Sequence, residues 1–207
     1  MSNELIELKQ QFEEYLKHKI PGSEEVRVSE ISQIHGGASR ETYRLLASWK
    51  IGNEEKSRRM ILRRDPEGSL IETDRQVEYI AYSTFYSLGI PVPEPLYIER
   101  DPKWLGRPFF VMEEIVDAEV SSFIYPLGPL AEKIGKQFWH NLGKIAAVDP
   151  EKVGLTKKLK VVPKDQCWKH ELDYWEKVID EDQLNPEPIV RGAIRWLRNN
   201  PPPPAQK

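Results

Sequence analysis

Three groups of residues have the types and spacing to act on an anionic ligand. The run His35-Gly36-Gly37-Ala38-Ser39-Arg40 lies between two β-rich stretches. Glycines let backbone N–H groups approach anionic oxygens closely, and the Ser39 hydroxyl adds a donor. Arg63 and Arg64 end a third β-rich stretch that begins at Met60-Ile61-Leu62. Strand alternation puts Ile61 and Arg63 on one face and Leu62 and Arg64 on the other. Glu78 stands in an amphipathic stretch, with Ala81, Tyr82 and Phe85 at the i+3, i+4 and i+7 positions. A carboxylate among such neighbours needs a cation. Each group also has an ordinary reading: a hairpin turn, a solvated strand end and a helix-face charge.

The elements that must position these residues follow from hydrophobic period. Leu5, Leu8, Phe12, Leu16 and Ile20 recur at three- and four-residue steps, so a helix is predicted over 3–20, stopped by Pro21-Gly22. Val26, Val28 and Ile31–Ile34 predict a strand, and Thr42 to Ile51 a second. The third is expected to start at Met60, beyond the Gly52-Asn53 turn, and to end near Asp65-Pro66. A helix capped by Thr73 or Asp74 runs to about Leu88, with Val77, Ala81, Phe85 and Leu88 expected on its buried stripe. Leu96–Ile98 and Pro108–Met112 predict two more strands, and beyond residue 120 three helical patterns follow.

The fold class is therefore α+β, with a five-stranded antiparallel sheet carrying a helix. Three segments are expected: an N-terminal helix over 1–22, a sheet lobe over 23–115 and a helical part over 116–207. A net charge of -3 supplies no basic field for a nucleic-acid backbone, so nucleic-acid partners are not expected. The apolar runs fall short of the roughly 18 residues of a membrane span, so no membrane partner is expected. The charged N-terminus does not read as a signal peptide. The single cysteine, Cys167, allows no internal disulfide, and a cytoplasmic location is expected.

The segments GGASRETYR, ILRRDPEG, EYIAYSTFYSLGIPVPEPL and RPFFVMEE occur here in one order and spacing. Together they resemble the aminoglycoside phosphotransferase superfamily, over residues 28 to the end. Their likeness is greatest to bacterial phosphotransferase-family proteins and to the kinase-like domain fused to some acyl-CoA dehydrogenases. The resemblance implies a protein-kinase-like fold: a sheet lobe followed by the first helices of an α-helical lobe. It implies nucleotide-binding roles for Gly36, Gly37 and Ser39 in the glycine turn. The kinase lysine stands two residues after a small cleft-facing residue. Ile61 and Arg63 fit that spacing, so the resemblance selects Arg63 as the phosphate-binding cation and leaves Arg64 as the alternative. Glu78, eleven residues before Gly89, takes the place of the family's helix glutamate. Met112 flanks the implied adenine pocket, and the Glu113 carbonyl and Ile115 amide would bond the adenine edge.

Phosphoryl transfer in this fold needs a catalytic-loop aspartate, a metal-binding asparagine and a later metal-binding aspartate. The family's His-Gly-Asp-x-x-x-x-Asn segment is not found: the sequence has one His-Gly pair, His35-Gly36. Asp173-Tyr174-Trp175-Glu176 reads as a helix face. In related sequences a stretch like WLRNNPPPPAQK comes shortly before the catalytic loop. The expectation is thus an ATP-binding N-terminal part of a kinase-like small-molecule phosphotransferase, with no catalytic or metal-binding residue of its own and inactive alone. The intact family enzyme would use ATP and Mg²⁺. Its acceptor would be a small-molecule hydroxyl, with a hydroxyacyl-CoA or hydroxy acid expected ahead of an aminoglycoside. The alternative is a non-catalytic nucleotide-binding or regulatory protein derived from the same fold.

Overall fold

The computed structural model describes residues 3–34, 41–65, 75–117 and 128–204. The chain divides into two compact units, Met1–Val153 and Gly154–Lys207. The first contains the sheet. Helix α1, Asn3–Lys19, buries Leu8, Phe12 and Leu16 as their spacing predicts, and adds Tyr15. Glu4 in its first turn and Lys17, His18 and Lys19 in its last complement the helix dipole.

Strands β1, Ser23–Ile34, and β2, Glu41–Ile51, pair antiparallel. Gly52, with φ of +59°, then allows a two-residue turn in which Ile51 pairs with Glu54. Strand β3 runs Glu54–Arg64, so it starts six residues before the predicted Met60. Its first half, Glu54-Glu55-Lys56-Ser57-Arg58-Arg59, has no apolar alternation to announce it. Pairing with β2, from Ile51↔Glu54 to Leu46↔Arg59, holds it in the ladder.

Strands β4, Pro95–Glu99, and β5, Phe109–Glu113, complete the sheet in the order β1-β2-β3-β5-β4, with every pair antiparallel. Val28, Leu45, Ala47, Met60, Leu62, Phe109 and Val111 point from one face into a core with Leu8, Phe12, Tyr15 and Leu16 of α1. The Tyr15 ring meets Phe109 edge-on at 4.8 Å and Trp104 at 5.5 Å. Burying such side chains supplies about 1.5–3 kcal/mol each.

Helix α2, Arg75–Ser87, lies against the opposite face, where Tyr79 and Tyr82 pack on Phe110 at 6.4 and 6.0 Å. Its buried residues are Arg75, Ile80 and Thr84. The predicted stripe is therefore displaced: Val77 is 44% exposed and Leu88 47%. Hydrophobic period assumes that the covering surface is aliphatic. Here the sheet presents Phe110 and Arg63, and the helix turns two tyrosines and Glu78 toward them. Gly89, with φ of +68°, ends the element.

Helix α3, Ala131–Ala146, follows a 3-10 turn at Gly128–Leu130. It has the predicted period, and Leu130, Ile134, Phe138 and Leu142 of that stripe are exposed. The second unit holds α4, Leu155–Lys158, α5, Cys167–Asp182, and α6, Pro188–Asn199. The single-turn α4 has no counterpart in the sequence reading. Pro188 opens α6, where its missing N–H costs nothing. Arg198 bridges α6 to Asp173, at 2.8 Å, and to Glu176 on α5. No described helix is long and apolar enough to cross a membrane.

Candidate functional site

The face of the sheet turned toward α2 is built from directly opposed residues. Arg63 stands between Thr42 on β2 and Phe110 on β5, and Ile61 between Arg44 and Met112. Because side chains alternate, Thr42, Arg44, Ile61, Arg63, Phe110 and Met112 share this face. Leu62 and Arg64 share the other with Val111 and Phe109.

Arg63 is joined to Glu78 through Nη1 and Oε1. Both side chains are less than one-fifth exposed. Phe110, fully buried, lies beneath the guanidinium, whose central carbon is 5.6 Å from the ring centroid. A guanidinium carries five N–H donors, more than one carboxylate can take. This face therefore holds a guanidinium against a carboxylate, bordered by apolar surface.

Arg64 has a different part. It donates from Nε to Glu41 at 2.9 Å and from Nη2 to Glu41 and Tyr43 Oη at 2.7 and 3.2 Å. Its Nη1 reaches the Leu105 carbonyl at 3.3 Å. Arg107 adds a second guanidinium, bonded to Glu41 Oε1 at 3.0 Å and to the Asp65 carbonyl at 2.9 Å. Burial alone would raise the Glu41 carboxyl, but its bonds to Arg64 and Tyr43 and the Arg107 charge outweigh that and hold it below the usual carboxylate range. A 610 Å³ cavity opens beside this network, lined by Glu4, Gln11, Arg64, Leu105 and Arg107 among others. Arg64 is committed there to protein partners and is directed away from the Arg63 face.

Gly36, Gly37 and Ser39 lie outside the described residues. The strands that flank them end beside Arg63: Ile34 of β1 pairs with Thr42 of β2, and Thr42 pairs with Arg63. Met112 faces the Arg63 side at the far end of β5. The Glu113 side chain belongs to the opposite face, 4.0 Å from Arg58, and its N–H donates to the Glu94 carbonyl at 2.9 Å. The Glu114 N–H donates to the Arg59 carbonyl at 3.2 Å, and its buried carboxylate is held by Arg44. Ile115, just past the strand, is 55% exposed, and its amide has no backbone partner among the described residues. Backbone groups are thus what this strand end offers a ligand on its open side.

Residues 30–207 match the profile of the phosphotransferase enzyme family, APH. The chain belongs to that family. Acyl-CoA dehydrogenase family member 11 of Rattus norvegicus is 26% identical over 196 residues, which cover 92% of this chain and 24% of the relative. The Gallus gallus protein of the same name is 25% identical over the same coverage of both chains. The phosphotransferase-family chain thus spans about a quarter, 24%, of the length of these relatives. A crystal structure from Ralstonia eutropha JMP134, described as an aminoglycoside phosphotransferase, superposes with a TM-score of 0.59 at 17% identity. It is covered over 53% of its length by 93% of this chain. At that identity the likeness concerns the fold: an antiparallel five-stranded sheet with helices, in the kinase-like α+β arrangement.

Two residues that contact the Arg63–Glu78 pair were not singled out from the sequence. Phe110 forms the surface under Arg63. The alternation in Pro108-Phe109-Phe110-Val111-Met112 could have shown it, since Phe110 and Met112 must share a face. Arg75 contacts Glu78, and its signal was a cation in a helix's first turn, where the dipole disfavours one. Two acids elsewhere have plain structural partners. Asp149 Oδ1 accepts from the Glu151 and Lys152 amides at 3.0 and 3.3 Å, and Asp173 pairs with Lys169 and Arg198.

Proposed function

We propose that this chain binds ATP on the Arg63 face of its sheet, as the nucleotide-holding part of a phosphotransferase that delivers the γ-phosphoryl group to a small-molecule hydroxyl. The observation that carries the reading is the Arg63–Glu78 pair, set over Phe110 beside the ends of β1 and β2.

In this reading Arg63 donates to phosphate oxygens and Glu78 keeps its guanidinium from turning away. Amides of Gly36 and Gly37 and the Ser39 hydroxyl meet the phosphates from the turn. Met112 packs on the adenine, and the Glu113 carbonyl and Ile115 amide bond its edge. Phosphoryl transfer rests on positioning and on charge stabilisation, and these groups supply the first. Magnesium, when bound with ATP, neutralises charge on the phosphates. Among the described residues no three His, Cys, Asp or Glu side chains converge to hold a metal ion.

The proposed acceptor is the hydroxyl of a hydroxyacyl-CoA or hydroxy acid, which the acyl-CoA dehydrogenase name of the two relatives supports. A second reading is nucleotide binding on the same Arg63 face without transfer. Calorimetry with ATP tests the shared core of both. Saturable heat at millimolar ATP, lost in Arg63→Ala, is the expected result. No heat from the folded chain at that concentration overturns both readings.

A further inference from the structure

Arg75 is a charge in an expensive place. It opens α2, at the positive end of the helix dipole, and its side chain is 4% exposed. A buried guanidinium is tolerated only when paired and hydrogen-bonded. Two carboxylates meet this one. Nε donates to Asp65 Oδ1, and Nη2 lies against the same oxygen. Nη1 donates to Glu78 Oε2 at 3.2 Å.

Glu78 consequently has a different arginine at each oxygen, Arg63 at Oε1 and Arg75 at Oε2. Asp65 is itself fixed to the sheet. Its N–H donates to the Pro108 carbonyl at 3.2 Å, and its carbonyl accepts from Arg107 at 2.9 Å. The chain Asp65–Arg75–Glu78–Arg63 starts at the residue just past β3, crosses α2 and returns to β3 two residues earlier.

We infer that Arg75 is a positioning residue for the nucleotide site: anchored by Asp65, it fixes Glu78 and thereby the Arg63 guanidinium. The inference rests on the proposal that Arg63 holds ATP phosphates. Without Arg75, the first turn of α2 loses its tie to Asp65, and Glu78 loses the guanidinium at Oε2. Glu78 is then free to turn about its own side chain, and the Arg63 guanidinium turns with it.

Two measurements test this on the 207-residue chain. The first is hydrogen exchange of α2 without nucleotide. Arg75→Ala and Asp65→Asn are both expected to speed exchange in the first half of α2 while β2 and β3 keep their protection. Unchanged α2 exchange in both variants overturns the clamp, whether or not the chain binds ATP. The second is ATP affinity by calorimetry. Arg75→Ala is expected to raise Kd about tenfold, Arg75→Lys to recover part of that loss, and the Arg75→Ala effect to vanish in a Glu78→Gln background. A destabilised helix acting only through folding would give no lysine rescue and an effect of full size in that background, and either result overturns the positioning role. Absence of ATP binding by the unaltered chain overturns the nucleotide reading, and with it the role of Arg75 at a nucleotide site, while the exchange data still report on the clamp.

Discussion

Arg63 and Arg64 are neighbours on β3, and their guanidiniums lie on opposite faces of the sheet, one against Glu78 and the other against Glu41. The two substitutions should therefore separate. Arg63→Ala is expected to abolish ATP binding while the chain still unfolds cooperatively. Arg64→Ala is expected to cost about 2 kcal/mol of stability, because partly buried Glu41 and the Tyr43 hydroxyl both lose a charged hydrogen-bond donor. Urea unfolding and ATP calorimetry on both variants check this. A loss of nucleotide binding confined to Arg64→Ala would transfer the phosphate role to the other face.

Glu41 should make stability depend on pH in the acid range. Its carboxyl lies below the ordinary range in the folded chain, so the unfolded chain binds more protons there. Its contribution is complete above the ordinary glutamate value of about 4.3 and is lost as pH falls through the lower folded value. The stability gap between the unaltered chain and Glu41→Gln should narrow as pH falls below about 4. Urea unfolding at a series of pH values measures the gap, and a constant gap would contradict the assignment.

Tyr15 offers a test of the core. Its ring is fully buried against Phe109 and Trp104, and its hydroxyl has no hydrogen-bond partner among the described residues. Burial is the main cause that raises this phenol above its usual range, with the Glu99 charge adding to it. Removing an unsatisfied buried hydroxyl relieves about 1 kcal/mol, so Tyr15→Phe should be neutral or stabilising. Tyr15→Ala should cost about 3–5 kcal/mol through the cavity it leaves. A Tyr15→Phe variant with a clearly lower Tm would show that the hydroxyl has a partner.

The 207-residue chain is expected to bind ATP without turning it over. Holding the nucleotide equally in ground and transition states lowers no barrier. Asp149 and Asp173, the acids that could stand in for a catalytic base, are engaged by backbone amides and by Lys169 and Arg198. Steady-state assays with hydroxy acids, hydroxyacyl-CoAs and aminoglycosides check this. Turnover above background that disappears in Arg63→Ala would assign catalysis to this chain.

The sequence by itself settled what depends on short-range period. The face assignments of Arg63 and Arg64 follow from two-residue alternation, and α1 and β2 were legible because Leu8, Phe12 and Leu16, or Tyr43, Leu45 and Ala47, repeat on the period of their element. The order and spacing of GGAS, LRR, GIPVP and PFFVM pointed to the kinase-like fold. Three matters belonged to the tertiary structure. The polar half of β3 is a strand because β2 supplies its hydrogen bonds, and no side-chain pattern encodes a backbone partner. The buried face of α2 is set by Phe110 and Arg63 on the sheet, so its own apolar stripe at Val77 and Leu88 misled. Insertion of β5 between β3 and β4 sets Phe110 beside Arg63, a pairing of residues 47 positions apart that only the folded sheet can make.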